Sequence, residues 1–264
     1  MLDMDSKLHN LQDILIAHQP GIIGVSGGVD SAFLAAAARR WGLDYLAVFL
    51  GGPHISPADR QEAERLVRQL GLPYLIREFS PLDVPGAAGN ARDRCYHCKA
   101  AMVRRIKDQA GLDRDQLMDG SHLSDAREYR PGVRALREQG VISPLADAGM
   151  TKENIRAYAR TLGLPQADQP SRPCLMTRFS YGYSMRTPDL IQVGRAEDEL
   201  RKAGLNQFRI RILSAGRILL HIHHSQEDTV RAKGQTIEEC MQRSGLSGFS
   251  LGFVHSLSGY FDRS

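Results

Sequence analysis

Hydrophobic and polar positions along this chain follow two rhythms. Over residues 4–17, Leu8, Leu11, Ile14 and Leu15 recur at helical spacing and predict an amphipathic helix. An apolar run at 21–25 predicts a strand, and the alanine-rich stretch after Ser31 predicts a helix to about Trp41. Tyr45-Leu46-Ala47-Val48-Phe49-Leu50 is apolar at nearly every position, the pattern of a parallel strand covered on both faces. Ser56 with Pro57 predicts a capped helix that runs to Leu70 and ends at Gly71. A third strand is expected over 72–79.

The segment 81–90 carries Pro81, Pro85, Gly86 and Gly89 and reads as a loop leading to Cys95 and Cys98. A helix is expected at about 99–110, then a short strand ending at Asp119-Gly120. Residues 121–140 show little regular pattern, only a turn at Arg130-Pro131-Gly132. Thr151 opens a further helix that Gly163 ends. Beyond it the expected order is helix 188–203, strand 207–213, strand 217–223, helix 226–243 and strand 248–255, with Gly216 as the turn residue. Alternating strands and helices imply an α/β fold, an open parallel sheet with a smaller C-terminal α+β domain. The proline-rich stretch 165–173 divides the chain at 1–170 and 171–264.

Composition narrows the class. Of 264 residues, 42% are hydrophobic and 24% charged, the balance of a water-exposed globular protein. No apolar run reaches membrane-spanning length, and Met1-Leu2-Asp3-Met4-Asp5-Ser6 lacks the basic start of a signal peptide. A cytoplasmic enzyme without a membrane partner is expected. Its four cysteines would then be thiols, ligands or nucleophiles. A net charge of +4 is too small to argue for nucleic acid and suits anionic small molecules.

The densest chemistry lies between the first strand and the helix after it: Ser26-Gly27-Gly28-Val29-Asp30-Ser31. Glycines let the backbone approach a phosphate, and amides at a helix start point toward it. Asp30 cannot bind a phosphate directly, so a metal ion on the nucleotide is its simplest task. The loop has no Walker lysine. It resembles the PP-loop, S-G-G-x-D-S, of enzymes that split ATP into AMP and pyrophosphate.

Cys95 and Cys98 form C-x-x-C, open to three readings: half a zinc site, a redox pair, or two ligands of an iron–sulfur cluster completed by Cys174. Cys174 lies between Arg172 and Arg178, where cations favour the reactive thiolate. Cys240 falls on an apolar helix face and reads as core. Arg209 and Arg211 alternate on a strand and share a face, so they either clamp a phosphate or stand solvated on a sheet.

Several blocks together resemble the LarE family of sulfur transferases: Ser26–Ser31, 92–99, Asp119-Gly120, Asp125, Arg130-Pro131-Gly132, Ser143-Pro144-Leu145, Thr151-Lys152 with Ile155-Arg156, Pro173-Cys174-Leu175, Arg178, Tyr181-Gly182 and Arg209-Ile210-Arg211. The resemblance implies an adenine-nucleotide-alpha-hydrolase-like fold, ATP and Mg²⁺ as cofactors, and a homo-oligomer. It implies adenylation of a carboxylate of pyridinium biscarboxylic acid mononucleotide, loss of pyrophosphate, and attack by Cys174 with Arg178 and Asp30 in the catalytic group. Ser26, Gly27, Gly28, Val29, Asp30 and Ser31 would bind ATP; Arg209 and Arg211 the substrate phosphate; Glu197 would be an acidic residue near the site. Sulfur would come either from Cys174 itself, whose carbon–sulfur bond breaks, or from a 4Fe-4S cluster on Cys95, Cys98 and Cys174. Three cysteines favour the cluster.

The chain departs from the family pattern at Ser121-His122, where the family reads T-N, and before Gly259-Tyr260, where it lacks the family's aspartate. An alternative function is a PP-loop tRNA thiolase using the same cysteines, with Arg92, Arg94, Lys99, Arg104, Arg105 and Lys107 facing RNA.

Overall fold

Buried apolar runs pair side by side in the first part of the chain because each needs cover on both faces. The computed structural model describes residues 3–111, 114–127 and 131–262, and they form two compact units. One comprises Met1–Gly51, Arg60–Phe79 and Cys95–Ser171; the other Gly52–Asp59, Ser80–Arg94 and Arg172–Ser264. No helix among the described residues is long and apolar enough to cross a membrane.

In chain order the elements are α1 (Met4–Ala17), β1 (Gly21–Gly24), α2 (Val29–Arg40), β2 (Tyr45–Gly51), α3 (Pro57–Gln69), β3 (Tyr74–Glu78), α4 (Arg94–Ala110), β4 (Gln116–Met118), α5 (Pro131–Glu138) and α6 (Lys152–Thr161). The four strands make one sheet in the order β3-β2-β1-β4. Every pair is parallel, with Ile22 opposite Leu46 and Leu117 and Val48 opposite Leu75. Ile22, Val48 and Leu117 share a core with Val103, Ile106 and Leu136. The α/β class with an open parallel sheet is as expected from the apolar runs. The loop after β1 lies at the carboxyl end of the sheet, where ligand sites of such folds are found.

The second unit carries α7 (Thr187–Lys202), β5 (Phe208–Ile212), β6 (Ile218–His223), α8 (Glu227–Arg243) and β7 (Ser250–Val254). Its sheet runs β5-β6-β7, antiparallel then parallel. Leu190, Val193, Ile210, Ile222, Ile237 and Cys240 meet in its core, so Cys240 is a packing residue. Gly216 takes a positive φ between β5 and β6.

Three local expectations need correction. The helix expected from 99 begins at Arg94, since no glycine or proline interrupts 94–99; Cys95 and Cys98 therefore stand on a helix, not on a loop. The featureless stretch 121–140 holds a 3₁₀ turn, Leu123–Arg127, and helix α5. Pro131 opens that helix instead of a turn, because a first-turn proline has no amide bond to lose, and Ala135 and Leu136 bury its inner face. Arg130 of the expected turn lies outside the described residues, as do Met1 and Leu2. The loop expected over 81–90 is wound into Pro81–Asp83 and Pro85–Ala88, each starting on a proline.

Candidate active site

In the first unit the PP-loop is shaped by its own side chains. The Ser31 hydroxyl donates to the Gly28 carbonyl (3.2 Å) and accepts from the Ser26 amide (3.0 Å). Ser31 is buried, so its hydroxyl braces the loop. Gly27 has φ +85°, and a β-carbon there would meet that of Ala63 at 2.8 Å. Gly28 stands just before α2, whose first amides face the loop as a phosphate-adapted N-terminus.

Asp30 sits in the first turn of that helix. Lys152 Nζ lies 2.7 Å from both of its carboxylate oxygens, and His122 Nε2 lies 3.8 Å from it. Lys152 is the first residue of α6, placed by Thr151, which caps the helix in a reciprocal pair with Asn154. Gly120 packs on the start of α2, where a β-carbon would stand 2.9 Å from the Ser31 nitrogen. Asp119 beside it accepts from Ser143 at 2.8 Å. Blocks scattered over 119–152 are thus gathered around one loop. Lys152 and His122 are side chains at the loop that spacing did not single out. Lys152 had two available signals, its place in the Thr151-Lys152 block of the family resemblance and its position just after a threonine cap.

Cys95 and Cys98 are three apart in the opening turns of α4 and so share a face. Cys95 is exposed and Cys98 half-buried. Among the described residues no three His, Cys, Asp or Glu side chains gather as a metal-binding group.

In the second unit an open cleft of about 140 Å³ is lined by four arginines, Arg94, Arg178, Arg209 and Arg211, with Tyr181 and Asp262 among its other walls. Cys174 is half-buried and opens the turn Leu175–Arg178; Pro173 and Thr177 on either side of it line the cleft. Arg178 is 2% exposed and grips Glu197 on α7 through Nε (2.6 Å) and Nη2 (2.9 Å). Glu197, also buried, accepts from the Ile210 amide at 3.1 Å. Burial drives the Glu197 carboxyl upward, but the charge and hydrogen bonds of Arg178, with Arg209 and Arg201, bring it below its usual value.

Arg209 and Arg211 stand on β5 and line the same cleft as Arg178. Burial, then the positive charge of Arg178, pushes both guanidiniums down to about 10. Arg211 donates to the Thr177 and Leu257 carbonyls, while its Nε is buried without a hydrogen-bond partner. Desolvated cations in a concave wall, with the Arg211 Nε left without a partner, make a setting that favours an anion.

Tyr181 lies with the guanidinium carbon of Arg94 4.7 Å from its ring centre and donates its hydroxyl to Asp262. Burial, then that bond, raises the Tyr181 phenol. Of the residues singled out in the sequence, the cleft brings Arg178, Arg209 and Arg211 together over Glu197. Arg94, Tyr181 and Asp262 are further members that spacing did not mark as site residues.

No protein-family model matches the chain. It is 34% identical over 210 residues to the uncharacterized protein slr1717 of Synechocystis sp., covering 79% of this chain and 78% of that one. It is 29% identical over 209 residues to the pyridinium-3,5-bisthiocarboxylic acid mononucleotide synthase of Lactiplantibacillus plantarum, covering 78% and 73%. Over 190 residues it is 30% identical to the tRNA-specific 2-thiouridylase MnmA of Thermobifida fusca, covering 56% and 51%.

Proposed function

The chain belongs to the LarE family of PP-loop enzymes, and from that premise we propose that it is an ATP-dependent sulfurtransferase acting on pyridinium biscarboxylic acid mononucleotide. A substrate carboxylate oxygen attacks the α-phosphorus of ATP, and pyrophosphate leaves. The sulfur nucleophile, either the Cys174 thiolate or a sulfide that a cluster would supply, attacks the activated carbon, and AMP leaves with the electron pair of the broken bond. Where it is the Cys174 thiolate, loss of the Cα proton then breaks the Cβ–Sγ bond, leaving dehydroalanine and the substrate thiocarboxylate. A carboxylate resists thiolate attack; its adenylate has a good leaving group. The observation that carries this reading is the arginine cleft beside Cys174, because a mononucleotide brings its own phosphate and Arg209 and Arg211 offer two guanidiniums on one face.

Each residue has a task in this scheme. The amides after Gly28 hold the departing pyrophosphate. Asp30 fits a Mg²⁺ ligand, since the Lys152 ammonium already marks its carboxylate as a cation position. Mg²⁺, when bound, neutralises triphosphate charge, and Lys152 released from Asp30 supplies a second cation. Arg178 is held by Glu197 and orients the turn behind Cys174. Cys95, Cys98 and Cys174 have the thiolate chemistry of iron–sulfur ligands, and a cluster bound there would supply a sulfide.

A tRNA thiolase fits less well. Arg94, one of the cations read as facing RNA, is buried over the Tyr181 ring, and Arg92 lies 5.4 Å from the same ring. A salt-sensitive tRNA gel shift would reverse this preference.

The test is pyrophosphate release with ATP and the biscarboxylate mononucleotide, followed by intact mass. Cys174→Ala should abolish sulfur transfer. Cys95→Ala with Cys98→Ala should abolish it as well, and anaerobically purified wild type should absorb in the visible. If the double variant still completes one turnover with a loss of about 34 Da at Cys174, the cysteine itself is the donor.

A further inference from the structure

Arg94 is 7% exposed and lines the arginine cleft, yet its Nη1 has no hydrogen-bond partner. A buried guanidinium N–H without an acceptor is costly, and native structures rarely leave one unless water, an ion or a ligand supplies the acceptor. Its position is fixed from two sides. The Tyr181 ring lies under the guanidinium, and Tyr181 is itself tied to Asp262. The strand of chain leading to Arg94 is pinned by Asn90, fully buried at φ 51°, whose side chain donates to the Phe179 and Ser180 carbonyls and whose own carbonyl accepts from Gly182. Arg94 therefore has little freedom to turn its fork elsewhere.

The charge balance of the cleft points the same way. Arg178 is matched by Glu197. Arg209 and Arg211 suit one phosphate dianion. Asp262 shares the wall but is engaged by the Tyr181 hydroxyl, and the buried Arg94 Nη1 keeps no partner, a match for one further planar anion.

We infer that Arg94 recognises a ring carboxylate of the substrate other than the one being activated, and so makes the enzyme select a pyridinium dicarboxylate over a monocarboxylate. The inference rests on the proposed acceptor and adds its selectivity. With Arg209 and Arg211 taking the phosphate, the cleft would measure two anions held at a fixed spacing by the nucleotide.

The experiment is calorimetric titration of the purified full-length protein with pyridinium-3,5-biscarboxylic acid mononucleotide and, separately, with nicotinic acid mononucleotide, which keeps the phosphate but has one carboxylate. Wild type should bind the dicarboxylate more tightly. Arg94→Gln should weaken dicarboxylate binding about 10- to 100-fold, the loss expected for one charge-assisted contact. Its affinity for the monocarboxylate should stay within about twofold, which also reports that the variant is folded. Arg94→Lys, keeping the charge without the fork, should fall between. Equal weakening of both ligands, or of neither, overturns the role of Arg94 while leaving the acceptor assignment intact. Wild-type protein that binds neither nucleotide overturns the acceptor assignment and this inference with it.

Discussion

The PP-loop and the arginine cleft are both adapted to anions, yet they are built by opposite means. The loop presents backbone amides from a six-residue stretch, and its one charged residue, Asp30, is already engaged by Lys152. The cleft presents side-chain cations from three separate stretches, at Arg94, Arg178 and Arg209 with Arg211, while 257–262 completes its wall. Backbone donors cost nothing to hold in place once the turn forms, and they carry no net charge to bury. Side-chain cations must be desolvated and then balanced, and Glu197 does the balancing. In the proposed scheme the first design serves a flexible polyphosphate, and the second discriminates among rigid anions by position.

Ways to break this comparison fall in order of size. Asp30→Asn should leave the fold intact and cut pyrophosphate release by about 100-fold or more, because the metal-bound triphosphate loses its carboxylate anchor. Full ATP cleavage by this variant would remove Asp30 from the reaction and leave the loop as backbone alone.

Glu197→Ala attacks the other design at its base. It strands Arg178, 2% exposed, without its counter-ion, and should destabilise the protein by about 3–5 kcal/mol in urea unfolding. The pair also predicts a pH response. The folded Glu197 carboxyl is held below its ordinary value, so its contribution is complete above the unfolded carboxyl near about 4.3. It is lost as pH falls through the lower folded value. The variant should therefore show a flatter stability profile than wild type in that acid range. An unchanged midpoint at neutral pH would mean the pair does not balance the cleft.

Legibility divides along the same line as the two designs. The PP-loop could be read because its glycines, Asp30 and flanking strand and helix are contiguous, so local geometry is encoded locally. Lys152 could not, since its meeting with Asp30 depends on α6 packing beside α2 and no spacing rule spans 122 residues. Arg209 and Arg211 were readable as a same-face pair from strand alternation. Arg94 was not, because its neighbour Tyr181 is far along the chain. Helix α5 was missed because Arg130-Pro131-Gly132 has turn chemistry, while the burial of Ala135 and Leu136 decides for helix.

A sharper test separates ligand from scaffold within the cleft. Arg209→Ala should weaken mononucleotide binding about 10- to 100-fold and leave ATP binding within about twofold, the size of one or two charge-assisted contacts. Equal losses for both ligands would show that Arg209 supports the whole protein instead of the acceptor phosphate.

The smallest effect expected lies on the loop side, at Thr151. Its hydroxyl accepts from the Asn154 amide at 3.4 Å, while the Asn154 side chain accepts from the Thr151 amide at 3.1 Å. Thr151→Ala removes one half of that reciprocal cap and should cost about 1 kcal/mol in thermal or urea unfolding. Lys152 follows directly, and its grip on Asp30 rests on a long, adaptable side chain held from the first turn of α6. The KM for ATP should therefore change by less than about threefold, since a frayed turn displaces the ammonium without removing it. A much larger rise in KM with little loss of stability would mean that the cap sets the position of Lys152 closely. The loop would then depend on a distant side chain as strictly as the arginine cleft does, and the contrast between a backbone-built and a side-chain-built site would fail.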